Sequence, residues 1–291
     1  MVVGFSGGED SSLVAVLSKM ALGPERVTLA TIDWGIFTYE ESRKITAEFA
    51  KEHGLKHVFL KGAGRQREVW RFGPSCNSCT KFVKLPILKE FAAGRLVLTG
   101  ANSYDSWGKT GLKVFNGVYA PLSNLGKEEI RRMLRELGVK VRRIGESKVR
   151  EGCKLKHLLK PLINPSYHGG AVSRANEILL RVLKEGGFEA GKAAVKVVGP
   201  LSRNIAVVYV SPRPPSEVIE RLVCEISSIP QVDEVVVFEE GMEVVVVASK
   251  PIYRNSEARK NIEFYIDLPG RFVWIESKNT RLRTFQVVKV G

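Results

Sequence analysis

The chain has 291 residues, of which 44% are hydrophobic and 26% charged, enough for one large or two ordinary domains with buried cores. No apolar run approaches the length that crosses a membrane, and the first residues do not read as a signal peptide. We therefore expect a soluble cytoplasmic protein rather than a membrane or secreted one.

The net charge of +14 is unevenly distributed. Residues 61–95 carry a net +6 and residues 127–160 a net +7, whereas residues 196–291 carry only +1. Two basic segments of this size indicate a polyanionic partner, such as tRNA or a phosphorylated substrate. A solvated basic face together with a nucleotide site explains the same clusters and stays open as the alternative.

The first half of the chain alternates short apolar runs with amphipathic segments. This alternation predicts an α/β fold with a doubly wound parallel sheet of the Rossmann-like kind. The expected strands are residues 1–5, 27–32, 57–60 and 95–99, and the expected helices are residues 11–20, 39–53, 83–91 and 127–137.

The last third reads as a smaller α+β module. We expect a helix over residues 215–228, with Cys224 in its buried face, a hairpin joining residues 235–238 to 244–248, and a strand at Phe264–Ile266. One interpretation is a ferredoxin-like β-α-β-β start. A boundary near Gly199 divides the chain into a domain of residues 1–198 and one of residues 199–291.

The segment Ser6–Ser12 follows the first strand and opens the first helix. Gly7 and Gly8 let backbone N–H groups approach an anion closely, and the new helix directs its positive dipole end there. Asp10 would repel a phosphate, so we expect it to hold Mg²⁺ or to orient the loop. The hydroxyls expected to donate to the anion are those of Ser6, Ser11 and Ser12.

Cys76 and Cys79 form a Cys-x-x-Cys pair, and Cys153 follows Gly152 in a basic stretch. Lys81 beside the pair favours the thiolate form. Three thiolates could hold three irons of a [4Fe–4S] cluster and leave the fourth iron open. Zinc is less favoured because it would lack a fourth protein ligand unless His157 or His168 contributes. A redox dithiol with Cys153 as a sulfur carrier, or an incidental pair, also remains open.

The loop at Ser6–Ser12 resembles the Ser-Gly-Gly-x-Asp-Ser loop of the PP-loop ATP pyrophosphatases. Those enzymes cleave ATP between the α and β phosphates and adenylate an oxygen of their substrate. The resemblance implies that Ile32 and Asp33 lie against the adenine and that Gly100 lies in a turn beside the nucleotide. Simple turn chemistry is the other interpretation of Asp33.

Together with the three cysteines, this loop resembles the sulfur-inserting branches of that family, which are the tRNA-thiolation and the LarE-like enzymes. Residues 121–138 are similar to the corresponding LarE-like helix. The resemblance implies an ATP-dependent sulfurtransferase that uses ATP, Mg²⁺ and a sulfur donor, with tRNA or a phosphorylated small molecule as acceptor and a homodimer as one possible assembly. The residues it implies as catalytic are Asp10, Cys76, Cys79, Lys81 and Cys153.

Two other functions fit the same loop. A PP-loop amidating ligase, similar to NAD synthase or GMP synthase, would use ammonia and have no need of three cysteines. A non-catalytic protein that binds ATP or RNA would keep the fold without turnover.

Overall fold

The computed structural model describes residues 1–105, 114–142 and 152–291. Its residues form two compact units, one made of Met1–Ala63 and Thr80–Arg143 and the other of Gly64–Cys79 and Ile144–Gly291. This grouping differs from the expected division at residue 199, because the strands that flank that position, Lys192–Val198 and Ile205–Ser211, pair along their length.

The elements up to residue 142 follow the expected alternation. In chain order they are β1 (Val2–Gly4), α1 (Glu9–Leu22), β2 (Thr28–Asp33), α2 (Glu40–Glu52), β3 (Lys56–Lys61), α3 (Ala63–Trp70), α4 (Cys76–Cys79), α5 (Leu85–Ala92), β4 (Val97–Leu98), β5 (Val118–Tyr119) and α6 (Lys127–Glu136). No helix in the described ranges is long and apolar enough to cross a membrane.

The first unit is built on a five-stranded sheet in the order β3-β2-β1-β4-β5, and every pair of neighbouring strands is parallel. Alternate residues of β1 serve opposite faces. Val3 packs with Leu13 of α1 and Ile130 of α6, whereas Val2 packs with Leu88 of α5. Helices therefore cover both faces, as the alternating pattern predicts, and the expected α/β doubly wound sheet is confirmed.

The order of the strands places a switch point at β1. The chain runs from β1 outward through β2 and β3, and then returns to the other side of β1 with β4. In open α/β sheets, ligands bind outside the carboxyl ends of the strands at such a point. The segment Ser6–Ser12, which we call the anion loop, leaves β1 at this end of the sheet.

The second unit contains two three-stranded sheets. After α7 (Gly170–Glu185), its elements are β6 (Lys192–Val198), β7 (Ile205–Ser211), α8 (Ser216–Ser227), β8 (Glu234–Val237), β9 (Glu243–Ala248), α9 (Lys250–Tyr253), α10 (Ser256–Ile266), β10 (Arg271–Glu276) and β11 (Phe285–Val290). The sheets have the orders β6-β7-β8 and β10-β9-β11. One apolar core joins them, with Val207 of the first packed among Val246 and Val287 of the second.

Three local expectations in this unit are wrong. Residues 235–238 and 244–248 do not form a hairpin, because β8 pairs with β7 and β9 pairs with β10 and β11. Phe264–Ile266 is the last turn of α10 rather than a strand. Cys224 is exposed, because Leu222 and Ile226 face the core and a residue midway between them on a helix points away.

A buried histidine is expected to make the stability of this unit depend on pH. His157 is 2% exposed, and neither ring nitrogen has a hydrogen-bond partner within the described ranges. Burial, followed by the positive charges of Lys196 and Lys156, holds the pKa of His157 well below 6.5. As the pH falls below 6.5, His157 therefore binds a proton in the unfolded chain but stays neutral in the folded chain, which lowers the free energy of unfolding.

We expect the free energy of unfolding to fall by about 1 kcal/mol from this group between pH 7.5 and 5.5. In urea titrations at the two pH values, the free energy of unfolding of His157→Leu should not show this part of the fall. Part of the dependence should remain, because burial also lowers the pKa of His57 to about 4. An unchanged dependence in His157→Leu would show that His157 is not the group that titrates.

Candidate functional site

The serines of the anion loop bond to one another and to the loop backbone. Gly7 has a φ of 70°, a left-handed conformation that favours glycine. The hydroxyls of Ser6 and Ser11 lie 3.2 Å apart, and Ser11 Oγ donates to the carbonyl of Gly8 at 3.2 Å. Ser12 is fully buried, and its Oγ has no partner in the described part of the chain. The loop thus keeps an unused hydroxyl donor next to the start of α1.

Asp10 lies in the first turn of α1 and has cationic and amide partners. Lys127 Nζ, at the start of α6, donates to the two carboxylate oxygens of Asp10 at 2.7 and 2.6 Å. Asn102 Nδ2 donates to Asp10 Oδ2 at 3.3 Å. The negative charge of Asp10, within the anion loop, is therefore balanced by the positive charge of Lys127.

Lys127 and Asn102 were missed as site residues in the sequence. Asn102 is 2% exposed and reaches Asp10 across 92 positions, and Lys127 does so across 117 positions. Only their positions could have indicated a role, because Asn102 follows the carboxyl end of β4 and Lys127 opens α6. Nothing in local spacing distinguishes Lys127 from the other basic residues of α6.

Gly100 lies where the turn after β4 meets α1. A Cβ at this position would stand 2.9 Å from the amide nitrogen of Ser11 and 3.0 Å from the carbonyl carbon of Asp10. Backbone atoms cannot move aside as a flexible side chain can, so the approach requires glycine. The structure thus gives Gly100 a packing role at the edge of the anion loop.

Asp33, at the end of β2, organises the turn that follows it. Its Oδ1 accepts hydrogen bonds from Arg43 Nη2 at 2.8 Å, Thr38 Oγ1 at 2.9 Å and the N–H of Gly35 at 3.0 Å. Partial burial raises the pKa of Asp33, but these hydrogen bonds, with the charge of Arg43, outweigh it and lower the pKa. Asp33 is therefore a fixed anion that shapes the turn, and the preceding Ile32 is half-buried.

The cysteines belong to the second unit and differ in environment. Cys76 is exposed, with its Sγ 3.5 Å from the hydroxyl of Tyr265. Cys79 is 3% exposed. Cys153 is half-buried and accepts a hydrogen bond from Gln66 Nε2 at 3.2 Å. Lys81, which belongs to the first unit, is exposed, with its Nζ 5.1 Å from the ring centre of Phe82.

The thiols are not gathered as an iron–sulfur cluster would need. Among residues 1–105, 114–142 and 152–291, no three side chains of His, Cys, Asp or Glu stand close enough to hold a metal ion. A cluster with three cysteine ligands requires its thiolates at one point, and the arrangement found here does not fit it. The predicted [4Fe–4S] cluster and the less favoured zinc site thus have no support.

The first unit combines an all-parallel sheet, a glycine turn at its switch point, a helix start and a charge-balanced carboxylate. This arrangement is typical of nucleotide-binding α/β proteins. Comparison with known proteins gives a more specific class. The family model for NAD synthase matches residues 1–62.

Individual relatives agree with that match. A GMP synthase of Stenotrophomonas maltophilia is 38% identical over 65 residues, which are 22% of this chain and 12% of the relative. An uncharacterized protein of Methanocaldococcus jannaschii is 28% identical over 117 residues, 38% of this chain and 24% of the relative. The chain thus spans an eighth to a quarter of these relatives. The family-model match covers the segment that contains the Ser6–Ser12 loop.

Proposed function

We propose that the protein is an ATP-dependent sulfurtransferase, which adenylates an oxygen of its acceptor and replaces that oxygen with sulfur. The observation that supports adenylation is the contact between Asp10, in the Ser6–Ser12 loop, and Lys127. Backbone N–H groups, a helix N-terminus and a lysine converge where the pyrophosphate part of ATP would lie.

Each of these groups has a physical role in that step. The N–H groups of the loop and the hydroxyls of Ser6 and Ser12 donate to pyrophosphate oxygens. Lys127 offsets the charge that grows on the leaving pyrophosphate. Asp10 is a half-buried carboxylate, an oxygen ligand of the type that Mg²⁺ accepts alongside phosphates. Bound Mg²⁺ would supply further neutralisation of the leaving group.

The sulfur step is assigned to cysteine thiols and not to a cluster. Cys76, Cys79 and Cys153 all lie in the second unit. We propose that the outer sulfur of a cysteine persulfide attacks the adenylated carbon, so that AMP leaves with the former oxygen of the acceptor. A thiol reductant then attacks the cysteine sulfur, the S–S bond breaks, and the transferred sulfur stays on the acceptor. Activity that needs the cysteines but not iron supports this function.

The second unit also supports tRNA as the acceptor. Its segments Gly64–Cys79 and Ser277–Arg283 together hold six basic residues and one acidic residue. They meet where the N–H of Arg283 donates to the carbonyl of Phe72 at 3.0 Å. The guanidinium groups of Arg71 and Arg283 lie 5.4 and 4.6 Å from the ring centre of Phe72. Exposed guanidinium groups held in this way suit phosphates of a nucleic acid.

We expect the double variant Arg281→Glu, Arg283→Glu to bind total tRNA at least about tenfold more weakly near 0.1 M salt. The slope of log affinity against log salt should fall by about two, because two phosphate contacts are lost. A gel-shift series over salt concentration measures both. The control is Arg213→Glu, whose arginine pairs with Glu239 in the same unit. Equal slopes for all three proteins would exclude these arginines as phosphate ligands.

An amidating ligase is the second candidate, and the matches to NAD synthase and GMP synthase favour it. The family match ends at residue 62, before the first cysteine, so it covers the Ser6–Ser12 loop and none of the cysteines. Replacing Cys76, Cys79 and Cys153 together with serine separates the two functions. AMP formation that persists and depends on ammonia would favour the ligase, and sulfur transfer that is lost would favour the sulfurtransferase.

A further inference from the structure

The outer edge of β10 carries backbone groups without partners. Arg271 and Ser277 donate their N–H groups to carbonyls of the β9 segment at 2.9 and 2.8 Å. Successive residues of a strand direct their backbone groups to opposite sides, so Phe272, Trp274 and Glu276 direct theirs away from β9. Within the described ranges these outward groups have no hydrogen-bond partner. The edge is therefore a template on which another strand can pair.

The other edges of the two sheets in the second unit are covered or short. Leu159 lies between β6 and β11, because its N–H donates to the carbonyl of Val197 at 2.9 Å and its carbonyl accepts from the N–H of Val287 at 2.8 Å. The strand β8 has four residues. By contrast, β10 has six residues and pairs with β9 along its whole length without a bulge. Proteins protect long edges with lysine, proline or bulges, and Phe272–Ile275 contains none of these.

The sheet is also apolar beside this edge, on the face that turns away from the core. Val245 and Val247 of β9 lie next to Val273 and Ile275 of β10, on the face opposite the fully buried Val246. The three valines beside Ile275 are half-buried, and Ile275 itself is 46% exposed. A strand that pairs with β10 would remove water from this apolar surface, which a solvated sheet face normally lacks.

We propose that β10 pairs antiparallel with β10 of a second copy of this chain, so that two three-stranded sheets join as one. A two-fold axis at Trp274 sets each outward residue of one strand against an outward residue of the other, so the unpaired N–H and C=O groups satisfy one another. In this register Val273 lies opposite the partner's Ile275 on both sides of the axis. Such apolar cross-strand pairs stabilise a sheet.

Charge favours a second copy in this direction. Arg271 begins β10 and Glu276 ends it. Antiparallel pairing brings ends of opposite charge together, whereas parallel pairing would set like charges side by side. The strand is also held in place for pairing, because Trp274 Nε1 donates to Glu263 Oε1 of α10 at 2.8 Å.

The oligomeric state of the full-length protein tests this proposal. We expect sedimentation velocity over a series of micromolar concentrations to show a dimer. Ile275→Lys places a lysine from each copy beside the axis, as natural edge strands do to prevent pairing. It should raise the Kd of the dimer at least about tenfold. Phe264→Lys makes the same kind of change at a residue of α10 that is 88% exposed, and its dimer should match the wild type.

Hydrogen exchange locates the contact. Peptides that cover β10 should exchange more slowly in concentrated than in dilute wild-type protein, whereas Ile275→Lys should show no such difference. A wild-type protein that stays monomeric overturns the proposal, as does a dimer that Ile275→Lys and Phe264→Lys leave equally strong. If circular dichroism shows that Ile275→Lys is misfolded, Glu276→Pro takes its place, because it removes an outward N–H and should weaken the dimer in the same way.

Discussion

Replacing Lys127 with alanine is expected to lower the rate of ATP cleavage to AMP and pyrophosphate about 10²- to 10³-fold. Lys127 contacts both oxygens of Asp10, and a cation placed where negative charge develops is worth that factor in comparable sites. The loss should appear in the turnover number, because the lysine acts on the leaving group. Steady-state assays of pyrophosphate release measure it.

Arg131 supplies a matched control for Lys127. It lies one turn further along α6 and pairs with Glu9 at 3.2 Å, so it joins the same two helices through an exposed ion pair. Such pairs contribute at most about 1 kcal/mol. Arg131→Ala should therefore leave turnover within about twofold of the wild type. Equal losses in the two variants would mean that Lys127 only fastens α6 to α1.

Gly100→Ala is expected to damage both stability and nucleotide binding. The added Cβ meets backbone atoms of Asp10 and Ser11 at about 3 Å, and relief requires the turn after β4 to move away from α1. Overpacking of this kind costs about 1–3 kcal/mol. Because the displaced turn carries Asn102, which donates to Asp10, the KM for ATP should rise by about tenfold or more.

Gly64→Ala is the control for this substitution. Nothing lies within 4 Å of a Cβ at Gly64, so the change should be neutral or slightly stabilising in α3. Urea unfolding and the KM for ATP are measured for both variants. If Gly100→Ala unfolds and binds ATP as Gly64→Ala does, the turn after β4 does not support the loop.

The first unit was largely predictable because its signals are local. A strand, a glycine turn and a helix start are adjacent at Ser6–Ser12, and the alternation of strands and helices fixes a parallel sheet. Lys127 and Asn102 could not be found in this way, since they reach Asp10 from more than 90 positions away. The short strand β5, with two residues, carries too little apolar periodicity to be recognised.

The second unit shows where the patterns mislead. The runs that form β8 and β9 are separated by a turn that suits a hairpin, yet each run finds a partner in a different sheet. Phe264 is 88% exposed on α10, so its aromatic character says nothing about a strand. The spacing of Cys76 and Cys79 suits a metal ligand pair, but their placement with Cys153 does not gather three thiolates.

The most direct test of the proposed function is the fate of labelled ATP in the presence of total tRNA, a persulfide donor and Mg²⁺. We expect label in the α phosphate to be recovered in AMP and label in the γ phosphate to be recovered in pyrophosphate. Both products should depend on Asp10 and Lys127. Recovery of ADP and inorganic phosphate as the primary products would contradict adenylation at the Ser6–Ser12 loop.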